Sequence, residues 1–63
     1  MDDSLRMVFA VFSEGDSLFI ERIFFSLEEA RSFIKRMPKH THGEYSIFQY
    51  NGVTGEEVGE VSK

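Results

Sequence analysis

Six side chains suited to holding an anion or a metal, Arg31, Lys35, Arg36, Lys39, His40 and His42, follow one another with no acid between Ala30 and Gly43. Four of them, Arg31, Lys35, Arg36 and Lys39, carry the fixed positive charge that meets phosphate or an acidic protein surface. Nearby aromatic rings would give a single-stranded nucleic acid something to stack on. The competing account is a solvated helix face whose bases complement the negative end of the helix dipole, and this account is preferred. His40 and His42 flank Thr41, so an extended loop would bring both imidazoles to one metal ion. Two ligands do not close a coordination shell and the spacing supplies no third, so an exposed loop without metal is expected.

The carboxylates form two adjacent pairs, Glu28-Glu29 and Glu56-Glu57. Adjacent residues on a helix or strand point apart, so neither pair can share a proton or flank a bond to be cleaved. Ser13, Ser17, Ser26, Ser32 and Ser46 have no His and acid arranged around them as a nucleophile needs, and no glycine-rich phosphate loop is present. The expectation is a protein that is not an enzyme, takes no cofactor and has no small-molecule substrate.

The elements that carry these residues announce themselves at Phe24-Phe25-Ser26-Leu27-Glu28-Glu29-Ala30, where an apolar run meets a helix start. Ser26 is placed to accept from free N–H groups of the first turn, while Glu29 can reach back to the cap in a capping box. From Leu27 to Met37 the apolar residues Leu27, Ala30, Phe33, Ile34 and Met37 recur at spacings of three and four, one stripe of an amphipathic helix. Pro38 should stop it near Met37.

Leu5 to Ser13 and Leu18 to Phe25 read as strands joined at Glu14-Gly15-Asp16-Ser17, a polar reversal. Alternation sets Leu5, Met7, Phe9 and Val11 against Val8, Ala10 and Phe12, and Leu18, Ile20 and Phe24 against Phe19, Ile23 and Phe25. Both strands are apolar on both faces and so look central or doubly covered. After the polar 38–43 loop, Tyr45 to Tyr50 reads as a third strand and Glu56 to Val61 as a weaker fourth, with Gly55 at a positive-φ turn position. The fold class is α+β: a small antiparallel-rich four-stranded sheet in the order β-β-α-β-β, with one helix packed on one face. Residues 1–63 form a single domain, with 1–4 and 62–63 expected to fray.

A chain of 63 residues buries only about 60% of the surface its unfolded form exposes, and without cysteine it has no disulfide to offset that. A partner or a second copy is therefore expected. The start at Met1-Asp2-Asp3 has neither a basic region nor an apolar run, and no stretch is long enough to span a bilayer, so a cytoplasmic location and no membrane contact are expected. The net charge of −4 disfavours indiscriminate nucleic-acid binding.

One three-turn helix cannot cover both faces of this sheet. The face away from it, carrying some of Phe9, Phe12, Phe19, Phe25, Phe48 and Tyr50, is expected to be buried by another protein or by a second copy in a homodimer. Glu56, Glu57 and Glu60 would supply a charged rim, steering the chain to a basic partner or imitating phosphates.

The apolar hairpin, the Phe-x-Ser-x-Glu-Glu-Ala helix start at 24–30 and the Tyr-x-Ile strand at 45–47 resemble those of short β-β-α-β-β accessory proteins of bacteria and their phages, over about Val8 to Tyr50. The resemblance implies a small protein-binding module that inhibits a host enzyme such as RNA polymerase, a restriction nuclease or a CRISPR complex. It carries no residue-level roles. The alternative is a nucleic-acid-binding module using the basic 31–42 stretch.

Overall fold

The computed structural model describes residues 7–14 and 18–63, with Leu18 and Phe19 described by their backbone alone. Strands β1 (Met7–Glu14), β2 (Leu18–Phe24), β3 (Tyr45–Asn51) and β4 (Glu57–Val61) form one antiparallel sheet, and helix α1 (Leu27–Lys35) lies across it. The small α+β architecture is the one expected. The strand order is β2-β1-β3-β4, so the two hairpins lie side by side with β1 and β3 in the centre. Leu5 and Arg6, expected to open the first strand, and the Gly15-Asp16-Ser17 reversal lie outside the described residues.

Helix α1 starts where its cap dictates. Ser26 is extended (φ −139°, ψ 149°), and its hydroxyl oxygen accepts from the Glu29 N–H at 3.1 Å. Glu28 and Glu29 place negative charge in the first turn, where the helix end is positive. The helix closes at Lys35 rather than Met37, because the chain tightens before Pro38: Met37 N–H donates to the Ile34 carbonyl at 3.0 Å, an i to i−3 bond. The 38–43 segment is not an open loop. Lys39–Glu44 winds into a 3₁₀ helix, and the His42 ring Nε2–H donates to the Met37 carbonyl at 2.8 Å, satisfying an acceptor at the helix end.

The core lies between α1 and the sheet. Ala30 and Ile34 from the helix meet Val11 of β1 and Ile47 of β3, all buried, and these two strand residues are directly paired. Phe9, Phe24, Leu27, Phe33, Tyr45 and Val61 close around them. Phe33 is the hub of the aromatic border, 5.6 Å from Phe24 and 6.5 Å from Tyr45 between ring centroids, with the Arg22 guanidinium 6.0 Å from its ring.

Strict alternation fails in β2, which is an edge strand and not central. Val11 pairs with Arg22 but Phe12 pairs with Ile20, leaving Glu21 as an extra residue in a β-bulge. The Ser13 hydroxyl donates to the Glu21 carboxylate at 2.6 Å, which fixes the bulged residue to the neighbouring strand. Ile20 thereby moves to the face of Ile23, opposite Phe24. A second irregularity lies in β4, where Gln49 pairs with Gly59 and Tyr50 with Glu57, leaving Val58 unpaired; Gly59 there has φ +147°.

The β3–β4 turn is built by Asn51. Its side-chain oxygen accepts from Val53 N–H at 2.8 Å and Thr54 N–H at 3.1 Å, and Gly55, at φ +79°, donates its N–H to the Asn51 carbonyl at 2.7 Å. Gly55 is thus the positive-φ residue of the reversal. Residues 62 and 63, expected to fray, carry tethers. Arg31 donates from Nε at 3.1 Å and from Nη2 at 3.0 Å to the Ser62 carbonyl, and Lys63 Nζ donates to the His42 carbonyl at 2.8 Å.

Candidate protein-docking face

The sheet face away from α1, here the rear face, is built by alternation along β1 and β3 and by the bulge in β2. Val8, Ala10 and Phe12 of β1 are paired with Tyr50, Phe48 and Ser46 of β3, and Ala10 and Phe12 with Ile23 and Ile20 of β2. Paired residues point to one side, so these side chains form one surface that is apolar except at Ser46. Phe12 and Phe48 stack edge to face with centroids 5.3 Å apart. Ala10, the smallest side chain in the patch, is 2% exposed among its larger neighbours.

The outer part of this surface is open. Ile20 is 57% and Ile23 56% exposed, with no element laid over them among the described residues. Ala10, Ile20, Ile23 and Tyr50 line an apolar groove of about 360 Å³ that ends against the 51–55 turn. Glu57 sits beside Tyr50 at the rim; loss of hydration, then the Glu57 negative charge and a hydrogen bond to its carboxylate, hold the phenol above its ordinary pKa.

Of the six aromatics expected at an interface, Phe12, Phe48 and Tyr50 stand on the rear face. Phe9 does not. It is on the helix side with Val11, half-buried against the core, because α1 covers that set of alternating residues. Phe25 follows the end of β2 and is 80% exposed. Phe19 pairs through its backbone with Ser13, and its side chain lies outside the described residues. Alternation places Val8 with Ala10 and Phe12 but sets Ile20 against Ile23, so it misses the two isoleucines as a pair on one face. The signal for the pair was the charged doublet Glu21-Arg22 inside an apolar run, which a bulge turns wholly to the helix side.

The basic stretch is dispersed rather than gathered. Arg31 is engaged with Ser62, and Lys35 and Arg36 share a shallow groove with Glu28 and Glu29, so acids are interleaved with the bases. Lys39 and the exposed His40 lie in the 3₁₀ helix, while His42 faces back to Met37. No group of three or more His, Cys, Asp or Glu that could hold a metal ion is assembled among the described residues. No helix among them is long and apolar enough to cross a membrane. No protein-family model, curated protein or solved structure matches this chain.

Proposed function

We propose that this chain is a non-catalytic protein-binding module that docks through its rear sheet face. The observation that carries the reading is the pair Ile20 and Ile23, more than half exposed on an otherwise continuous apolar surface. The largest open apolar patch on a small protein is often its functional surface, and one rimmed by polar residues marks a site of association. Phe12, Phe48 and Tyr50 add rigid aromatic area with few rotors to immobilise, the composition of interface hot spots. In the setting that the sequence resemblance implies, the partner is a host enzyme and docking inhibits it.

The test is affinity capture with the intact chain and with Ile20→Glu and Ile23→Glu variants, their folding checked by circular dichroism. Partners held through the rear face are retained by the parent chain and lost by both variants. Capture that is indifferent to both substitutions would overturn the reading. A nucleic-acid ligand would show itself differently, by affinity that falls steeply with salt and that vanishes when Lys35, Arg36 and Lys39 are reversed.

A further inference from the structure

Among the described residues, the rear face has a border of one sign. Glu14 continues the Val8, Ala10, Phe12 side of β1, Glu60 is paired with Phe48, and Glu57 with Tyr50, and all three carboxylates are exposed. Every described Lys and Arg lies elsewhere. Arg22 is paired with Val11 on the helix side, Arg31, Lys35 and Arg36 belong to α1 and its cap, Lys39 to the 3₁₀ helix, and Lys63 is bonded to the His42 carbonyl.

This arrangement decides between two kinds of occupant. A second copy stacked about a two-fold axis would present the same patch and the same acidic border, setting carboxylates against carboxylates. The face is also small for that purpose. Four strands each about 4.8 Å wide and some six residues long outline roughly 400 Å², about half of the ~800 Å² that each partner of a standard interface buries. A narrow segment that enters the groove needs no such area, and positive side chains on it would meet the border favourably.

Resting on the protein-binding reading above, we propose that the rear groove takes an exposed segment of a different protein in which an aliphatic or aromatic side chain is flanked by Lys or Arg. The apolar side chain enters between Ala10, Ile20, Ile23 and Tyr50. The neighbouring cation lies along Glu57 and Glu60 at the β4 edge, where the charge also steers encounter.

The experiment is selection of short random displayed peptides on the immobilised full chain, followed by anisotropy titrations of the enriched peptides. Peptides joining a large apolar residue to Lys or Arg are expected. Their binding is lost with Ile23→Glu, and with Ile20→Glu as a second variant in case the first perturbs folding. It weakens about tenfold, chiefly in association rate, with the Glu57→Gln, Glu60→Gln pair, and its salt dependence flattens. Enriched peptides that are neutral or acidic, or that bind equally to the glutamine pair while still losing affinity to Ile23→Glu, would overturn the basic segment and leave the docking face standing. Peptides indifferent to both isoleucine variants, or no enrichment at all, would overturn both. A dimer in sedimentation that Ile23→Glu dissociates would overturn the foreign segment in favour of a second copy.

Discussion

Ile20 and Ile23, separated by two charged residues in one strand, stand on the same face of the sheet, Ile20 paired with Phe12 and Ile23 with Ala10. An odd spacing can do this only because the Glu21 bulge adds a residue between them. The open apolar surface therefore depends on an irregularity, held by the 2.6 Å bond from Ser13 to Glu21.

Ile20 and Ile23 are exposed, so they contribute surface rather than core. Replacing both with Gln is expected to change unfolding free energy by no more than about 0.5 kcal/mol, measured by urea titration. Binding of an environment-sensitive apolar dye should fall in the same variant. A loss of stability like that of a core truncation would contradict the open face.

Ile47 is fully buried between Val11 and the helix, and the core cluster around it is small. Truncation to Ala removes packed methyl groups and leaves a void that so short a chain has little means to refill. The expected cost is about 2–5 kcal/mol, enough to leave much of the population unfolded by circular dichroism at room temperature.

Ser26→Ala removes the acceptor of the Glu29 N–H and should cost about 1 kcal/mol, while Ser26→Asp, which caps equally well, should restore it. Thermal melts of the three chains give the comparison. Equal melting of the parent and Ser26→Ala chains would mean the cap is replaced by water at no loss.

Arg31 ties the helix to the chain beyond β4 through two bonds to the Ser62 carbonyl. Arg31→Gln is expected to cost about 1 kcal/mol, below the ~1.5–3 kcal/mol of a buried charged donor because the contact is exposed. The readout is faster amide exchange in β4, confined to that strand. Uniformly faster exchange would indicate a global rather than a local role.

Tyr50 keeps its phenolic proton to higher pH in the folded chain than in the unfolded one, where it titrates near 10. Above that value the folded state binds more protons than the unfolded state, so stability falls as pH rises through the folded pKa and is unaffected below about 9. Tyr50→Phe should remove this alkaline slope, and Glu57→Gln should lessen it by removing one of its causes. Urea titrations between pH 8 and about 12 check both.

Much of the local structure was legible in the residues because its causes are local. Ser26 caps the Glu29 amide, Gly55 takes the positive φ, and Phe9 with Val11 opposes Val8, Ala10 and Phe12, each settled by neighbours within a few positions. What was not legible depends on contacts between distant segments. Which of the two β1 faces α1 would cover has no signature in β1 itself, so Phe9, expected among the open aromatics, is half-buried against the core on the helix side instead. The bulge that carries Ile20 across the sheet rests on Ser13, on another strand. His42, weighed as a metal ligand in an open loop, is folded back to Met37 by the 3₁₀ turn, an outcome set by how the chain leaves the helix. Strand order was equally hidden, since either hairpin strand has enough Val, Ile and Phe to be central.

The irregularities at Glu21 and Val58 both fall on the outer strands, β2 and β4. A flat outer strand is a template for another backbone, and repeated addition is how fibrils grow. Here the ladder is out of step on both flanks, so crowding should not make the chain polymerise sideways even though its grease is displayed broadside. Strand addition at either edge is thus disfavoured at high concentration, and the contact left open to this protein is the one across its back.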